Sequence, residues 1–229
     1  MSRRRCAQGH CLGRSCLERH RQPMVQPYRS TKAESNMTNE SDESSGNGFA
    51  LLLTGLSGAG KSSIARHLVE YLQQEAKRRV TLLDGDEVRK HLCAGLGFSR
   101  EDRMTNVQRL AYVASEVVKH EGIAVCAVIA PYAQSRIAMR EMVQRYGRFY
   151  EVYVNTPIGV CESRDVKGLY AKARSGEIQL FTGITDPYEA PVQPDLEIDA
   201  SVGSPLASAH QIVDFLMRIS KDRQLLSRR

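Results

Sequence analysis

The chain has 229 residues, a formal net charge of +6 and 41% hydrophobic residues, which suffices for one ordinary domain with a buried core plus an appendage. No run of roughly 18 apolar residues occurs, so we expect no contact with the interior of a membrane. Residues 1–47 carry eight Lys/Arg against five acidic residues, which accounts for +3 of the charge. The remaining +3 is too diffuse for a nucleic-acid footprint, so nucleic acid is not expected as a partner.

Residues 1–47 differ in kind from the rest of the chain. They are polar, hold few large aliphatic residues and end in a Ser/Asn/Glu/Gly tract, so we expect a disordered extension. The Arg-rich residues 1–17 resemble an organellar transit peptide, and a true start at Met24 or Met37 is an equal alternative. We expect a cytoplasmic protein, with organellar targeting left open. In residues 48–229 three single cysteines lie among apolar residues, as is typical of a reduced compartment.

From residue 49 short apolar runs alternate with helical periodicity, a rhythm typical of βαβ units. The pattern predicts strands at 49–54, 80–84, 123–130, 149–154 and 196–198, and helices at 61–79, near 87–92, near 107–122, at 133–146 and at 204–219. Between Pro157 and Pro194 the pattern breaks down into a long charged segment that is rich in Gly and Pro, as lids often are. We predict an α/β fold with a mostly parallel five-stranded sheet, helices on both faces, and ligands beyond the carboxyl ends of the strands.

The sequence GLSGAGKSS, residues 55–63, matches the phosphate-binding pattern G-x-x-x-x-G-K-S between a predicted strand and a predicted helix. Glycines let backbone N–H groups wrap a phosphate, Lys61 would bridge the β- and γ-oxygens, and the Ser62 hydroxyl would bind Mg²⁺. The alternative is a Gly-rich turn with a chance lysine, which the flanking elements disfavour. We therefore predict a P-loop NTPase-type fold that binds ATP and Mg²⁺ through Gly55, Leu56, Ser57, Gly58, Ala59, Gly60, Lys61, Ser62 and Ser63.

A second motif, DGDEVR at residues 84–89, follows the second predicted strand. No N-K-x-D motif for reading a guanine base occurs, which disfavours a GTPase. Asp86 could accept a proton from an acceptor hydroxyl, and Arg89 could hold an anionic group of that acceptor. A second interpretation is equally good on the residues alone: Asp84 and Asp86 merely cap a short helix, with Arg89 on its surface.

The chain resembles the adenylyl-sulfate kinase (APS kinase) family from about Ala50 to Asp199. The resemblance is carried, in family order, by GLSGAGKSS, LDGDEVRKHL, LGFSREDRMTNVQR, IAPY, RDVKGLYAKARSGEI and FTGITDPYEAP. It implies that residues 48–229 form a P-loop kinase domain with a mobile lid. It also implies ATP-dependent phosphorylation of the ribose 3'-hydroxyl of adenosine 5'-phosphosulfate (APS), giving 3'-phosphoadenylyl sulfate and ADP in sulfate activation. A homodimer and an association with ATP sulfurylase are the expected protein partners.

The resemblance also implies roles for single residues. Asp86, Lys61 and Lys167 would be catalytic, with Lys167 on the lid, and Arg164 would pack beside the ATP base. Phe98 and Phe181 look like two aromatic residues that sandwich the adenine of the acceptor. The implied acceptor site comprises Asp86, Arg89, Phe98, Arg103, Asn106, Ile129, Ala130, Lys167 and Phe181.

One departure from the family pattern changes the expected mechanism. Many members have Ser-Pro after the third strand, whereas this chain has Ala130 before Pro131. Alanine cannot carry a phosphoryl group, so we expect direct in-line transfer without a phosphoenzyme at this position. Two other hypotheses stay open from the sequence: a kinase for another nucleotide or metabolite, and a nucleotide-binding regulatory subunit that does not turn over.

Overall fold

The computed structural model describes residues 48–219, and the predictions for residues 1–47 lie outside this part of the chain. The strands are β1 Phe49–Thr54, β2 Val80–Asp84, β3 Ile123–Ala127, β4 Arg148–Asn155 and β5 Leu196–Asp199. The helices are α1 Lys61–Gln74, α2 Gly85–Lys90, α3 Arg100–Lys119, α4 Ala133–Gln144, α5 Ile158–Arg164, α6 Leu169–Arg174 and α7 Pro205–Ile219. None of the helices in residues 48–219 is both long enough and apolar enough to cross a lipid bilayer.

The five strands form one parallel sheet in the order β2-β3-β1-β4-β5, which confirms the predicted fold class. Strand β1 is central and entirely buried, and its side chains alternate between two apolar cores. Leu51 and Leu53 face a core built with α1 and α7, whereas Ala50 and Leu52 face a core built with α3 and α4. Both faces of the sheet are therefore covered by helices, as the continuous apolar sequence of β1 requires.

Helix α1 and strand β3 end earlier than the apolar pattern predicts. Helix α1 ends at Gln74 rather than Arg79, because Lys77 takes a left-handed backbone conformation (φ 51°) that terminates the helix. Strand β3 ends at Ala127 rather than Ala130. The carbonyl of Ile129 accepts a hydrogen bond from Thr54 Oγ1 at 2.6 Å, and that of Ala130 accepts one from Arg136 Nη1 at 2.8 Å. These side-chain bonds replace the strand ladder after Ala127.

The segment after β4, predicted to be irregular, contains the short helices α5 and α6. Helix α6 is stabilised by Asp165, whose two carboxylate oxygens accept hydrogen bonds from the backbone N–H groups of Tyr170 and Ala171. Six- and seven-residue helices show too few turns for their periodicity to be read from sequence. The prediction of an irregular segment was wrong for these two stretches.

Candidate active site

A cavity of about 650 Å³ opens at the carboxyl ends of the strands. Residues beyond the carboxyl end of each of the five strands line it, as expected for an open parallel sheet. They include Ser57–Ser63 after β1, Asp84–Asp86 and Arg89 at the end of β2, Val128–Pro131 after β3, Arg164–Lys167 at the end of α5, and Gly203–Pro205 after β5. The arrangement brings the two sequence motifs into one cavity, although β3 lies between the strands that carry them.

The glycine loop has the backbone that its sequence predicts. Gly55 has φ +151°, and a Cβ atom there would lie 2.5 Å from the carbonyl oxygen of Val154 on β4. Gly58 has φ +74°, and its Cβ would lie 3.1 Å from the Cys161 carbonyl oxygen on α5. Ser57 to Ser63 line the cavity, whereas Gly55 and Leu56 form the base of the loop outside it. Gly55 thus serves close packing against β4.

Lys61 and Ser62 occupy the first turn of α1, at its positive end. The Lys61 ammonium donates hydrogen bonds to the carbonyl oxygens of Gly55 (2.9 Å) and Leu56 (2.7 Å). Burial lowers the pKa of Lys61 to about 8, an effect opposed by nearby groups including Asp84 and Asp86. A buried cation at a helix N-terminus is an arrangement suited to a polyphosphate.

Asp84 has two roles divided between its two oxygens. Oδ1 accepts a hydrogen bond from the backbone N–H of Asp86 at 3.0 Å and so caps α2, as the capping interpretation predicted for this residue. Oδ2 is buried and has no hydrogen-bond partner among residues 48–219. Asp84 and Ser62 both line the cavity, and oxygen ligands of this kind suit Mg²⁺. The unpartnered Oδ2 therefore fits a magnesium ion, which Asp84 and Ser62 would hold.

Asp86 is not a helix cap. Its carboxylate forms an ion pair with Lys167, on the turn between α5 and α6, and both side chains line the cavity. The two side chains are 60% and 55% exposed, so the pair lies where a ligand can separate it. The family resemblance implies that both residues are catalytic, and the structure brings them into contact.

Arg89, Phe98 and Arg103 cluster on the α2–α3 side of the cavity. The guanidinium carbons of Arg89 and Arg103 lie 4.4 Å and 5.5 Å from the Phe98 ring centroid. Burial, and then the charge of Arg103, lowers the pKa of Arg89. The Phe98 side chain is 54% exposed beside these two cations. The cluster can bind an anion next to an aromatic face.

Asn106 lies one turn after Arg103 on α3, and its Oδ1 is buried with no partner in the described part of the chain. It is available to accept a hydrogen bond from a ligand hydroxyl. Ile129 and Ala130 also line the cavity, and Ala130 has a left-handed φ of 43°. Their carbonyls are held by the protein, so these residues offer the cavity a rigid wall.

The structure does not bring Phe181 to the cavity wall. Phe181 is 8% exposed and belongs to the core under α1 and α7. Its ring packs edge-on against Tyr170, with centroids 4.9 Å apart, and Tyr170 is the residue that lines the cavity. The predicted sandwich of Phe98 and Phe181 is thus not formed in this arrangement, because Phe181 packs beneath helix α6.

Arg164 and Tyr170 connect the glycine loop to other segments that line the cavity. Arg164, which was predicted, donates hydrogen bonds to the carbonyls of Gly58 (3.4 Å) and Ala200 (2.7 Å) and so joins the glycine loop to the segment after β5. The Tyr170 hydroxyl donates to the Ser57 carbonyl at 2.9 Å. The lining residues that the sequence reasoning missed include Asp84, Tyr170, Ala200, Gly203, Ser204, Pro205 and Ser208. The last five follow a predicted strand, so the rule that ligands bind at carboxyl ends could have found them.

A family model described as adenylylsulphate kinase matches residues 47–199. The chain belongs to the adenylylsulphate kinase family. An adenylyl-sulfate kinase of Halothermothrix orenii is 47% identical over 169 residues, which cover 74% of this chain and 89% of that protein. An APS kinase of Mycobacterium tuberculosis, solved in complex with AMPPNP and APS, superposes with a TM-score of 0.71 at 42% identity, covering 75% of this chain and 99% of that one.

The chain is also similar to a segment of some longer proteins. A sulfate adenylyltransferase of Aspergillus oryzae is 51% identical over 166 residues, which cover 72% of this chain but only 29% of that protein. The chain thus matches less than a third of the length of this curated relative. Membership of the adenylylsulphate kinase family and its P-loop kinase fold are the conclusions that these similarities give.

Proposed function

We propose that the chain transfers the γ-phosphoryl group of ATP to the ribose 3'-hydroxyl of APS, giving 3'-phosphoadenylyl sulfate and ADP. The observation that carries this proposal is one cavity lined by two distinct anion-binding groups, the glycine loop with Lys61 and the Arg89–Arg103 pair, with Asp86 in the same cavity. The relative from Mycobacterium tuberculosis, solved with AMPPNP and APS, supports both ligands.

The donor half of the site would hold the ATP polyphosphate. N–H groups of the glycine loop and the first turn of α1 offer hydrogen bonds to phosphate oxygens, and Lys61 adds a buried positive charge. Ser62 and Asp84 would hold Mg²⁺. The metal would supply charge neutralisation of the transferring phosphoryl group. Arg164 would lie beside the ATP base and stabilise the glycine loop through its hydrogen bonds to the Gly58 and Ala200 carbonyls.

The acceptor half would bind APS by its charge and its base. The guanidiniums of Arg89 and Arg103 are suited to the delocalised charge of a phosphosulfate, and Phe98 offers an exposed face for adenine stacking. Asn106 Oδ1 would accept a hydrogen bond from a ribose hydroxyl. Phe181 would contribute indirectly, by supporting Tyr170.

The reaction would proceed in one in-line step. Asp86 would accept the proton of the 3'-hydroxyl of APS while the oxygen of that hydroxyl forms a bond to the γ-phosphorus of ATP. The bond from the γ-phosphorus to the β,γ-bridging oxygen would break at the same time, and ADP would leave. Lys167 would exchange its contact with Asp86 for one with the transferring phosphoryl oxygens. Ala130 has no hydroxyl to phosphorylate, so direct transfer is the route that this chain's residues favour.

The remaining expectations are part of the same proposal. A lid formed by α5, α6 and the turn between them would exclude water from the reacting groups. We propose a homodimer and an association with ATP sulfurylase, the latter supported by the similarity to a segment of sulfate adenylyltransferase. A cytoplasmic location is proposed from the buried free thiols of Cys93, Cys126 and Cys161.

The test is a coupled assay of ADP release by the purified full chain with ATP and Mg²⁺. Each of four acceptors is supplied alone: APS, AMP, adenosine and shikimate. The proposal expects ADP release with APS at least about a hundredfold above the others, because only APS carries the phosphosulfate for the arginine pair. Release with another acceptor and none with APS would refute the proposal, and ATP binding without any turnover would favour a regulatory subunit.

A further inference from the structure

The Arg103 side chain is held by three groups, although it lies at the cavity. Nε donates a hydrogen bond to the Phe98 carbonyl at 2.9 Å, and Nη2 donates to the Leu180 carbonyl at 2.8 Å. Nε also lies 3.6 Å from Oδ2 of Asp186. Nη1 has no hydrogen-bond partner within residues 48–219, and the side chain is 6% exposed. The guanidinium is therefore fixed along one edge, with Nη1 left for a ligand.

Asp186 supplies the only carboxylate paired with this guanidinium in the described residues. The Tyr132 hydroxyl donates to both of its oxygens, at 3.1 Å and 3.0 Å. The backbone of Asp186 closes a tight turn. Its N–H donates a hydrogen bond to the Phe181 carbonyl, and its carbonyl accepts one from the Gly183 N–H at 2.7 Å. The Asp186 carboxylate is thus held in a fixed position beside Nε of Arg103.

Asp186 does not line the nucleotide cavity. It lines a separate hollow with Leu56, Ile158 and residues 183–188, and the side chain through which its carboxylate reaches the cavity most directly is Arg103. The Asp186 side chain is 14% exposed, a burial at which a charge interaction is screened less than on the surface.

We propose that Asp186 is a positioning residue for Arg103, which orients the guanidinium so that Nη1 meets the anionic group of APS. This inference rests on the proposed function, since it assigns the arginine's ligand. A carboxylate beside Nε fixes the rotamer of the Arg103 side chain before APS binds, so less conformational entropy is lost on binding. Tyr132, packed under the Arg100 guanidinium at 4.4 Å, holds the carboxylate in turn.

The competing explanation is a purely structural ion pair that ties the turn at residues 181–186 to α3. The two explanations differ in kinetics. A structural pair would affect thermal stability or the active fraction, whereas a positioning residue changes the KM for APS while kcat and the KM for ATP stay nearly constant. The pair of Asp195 with Arg140, at 2.7 Å and outside the cavity, offers a matched structural control.

The experiment measures steady-state kinetics of the full chain as wild type, Asp186→Asn, Tyr132→Phe and Asp195→Asn. The inference expects Asp186→Asn to raise the KM for APS about tenfold or more, with kcat and the KM for ATP within about twofold. Tyr132→Phe removes the hydroxyl that donates to the Asp186 carboxylate without changing the charge of that carboxylate, and should raise the KM for APS by a smaller factor. Asp195→Asn should leave it unchanged.

A double-mutant cycle completes the test, with the dissociation constant for APS measured by calorimetry in the presence of AMPPNP. In an Arg103→Ala background, Asp186→Asn should cause no further loss of affinity, because its effect is exerted through the arginine. Additive losses, or an unchanged KM for APS in Asp186→Asn with an active wild type, would overturn the inference alone. A wild type without APS-dependent turnover would instead overturn the proposed function and this inference with it.

Discussion

The carboxylate of Asp86 pairs with the ammonium of Lys167, so helix α2 contacts the turn between α5 and α6 directly. The pair is more than half exposed, and such pairs contribute at most about 1 kcal/mol to stability. A phosphoryl group can therefore displace Lys167 at little cost. The pair joins two residues that the sequence places 81 positions apart.

The first prediction concerns this pair. Asp86→Ala should lower kcat about a hundredfold or more, because the acceptor hydroxyl loses its proton acceptor, and Lys167→Met should lower kcat by a comparable factor. Thermal stability should change little in either variant. Arg174→Gln is the control, since Arg174 pairs with Glu162 on the lid but neither residue lines the cavity. A Lys167→Met enzyme with wild-type turnover would show that the contact is incidental.

The second prediction concerns the buried charge of Lys61. Its pKa falls from 10.5 to about 8 on folding, so between those values the unfolded chain binds more protons and this residue's contribution to stability rises with pH. The charge costs about 3 kcal/mol below pH 8 at about 1.4 kcal/mol per pKa unit. Lys61→Met removes that cost, so the variant should have a higher free energy of unfolding than the wild type at pH 7.5. The difference in free energy of unfolding should be smaller at pH 9.5. Urea titrations at both pH values measure it, and a difference that grows with pH would contradict the burial argument.

The third prediction concerns the strained backbone at Ala130, whose φ of 43° is unfavourable for a residue with a Cβ atom. Ala130→Gly should raise the free energy of unfolding by up to about 1 kcal/mol, because relief of the strain exceeds the entropy that glycine adds to the unfolded chain. Ala130→Val should lower it by more than about 1 kcal/mol. Ala127→Gly in β3 is the control and should be destabilising. Urea unfolding of the three variants decides, and a destabilised Ala130→Gly would show that the left-handed backbone carries no strain.

The fourth prediction concerns the Tyr170 hydroxyl, which joins lid helix α6 to the glycine loop at Ser57. Tyr170→Phe keeps the ring against Phe181 but removes a hydrogen bond of about 1 kcal/mol. We expect the KM for ATP to rise about fivefold with the KM for APS nearly unchanged, since the loss falls on the donor loop. Tyr150→Phe is the control, because Tyr150 packs between Phe49 and Phe215 away from the cavity. Equal effects of the two variants on the KM for ATP would contradict the assignment.

The sequence predicts most of the sheet because its signals are local. The apolar runs of β1 and β2 gave their bounds to the residue, and the glycine loop and DGDEVR lie at carboxyl ends as expected. The early end of β3 was missed because it depends on Thr54 and Arg136, side chains from other elements that bind the Ile129 and Ala130 carbonyls. No local pattern in the sequence encodes those contacts.

The candidate site divides in the same way. Lys61, Asp86 and Arg89 were found because each follows a strand within a recognisable motif. Phe181 was placed at the cavity by resemblance, yet its ring packs into the core against Tyr170, an outcome set by the fold of the whole lid. The approach of Asp186 to Arg103 brings together residues 83 positions apart, which spacing in one sequence cannot reveal.

The most direct test of the central claim is the position of the new phosphate on the product. The full chain is incubated with ATP, Mg²⁺ and APS, and the purified nucleotide product is examined by phosphorus NMR with proton coupling to the ribose. The account predicts a phosphomonoester coupled to the 3' proton, and no product when 3'-deoxy-APS replaces APS. Phosphate on another position, or turnover of the 3'-deoxy compound, would contradict it.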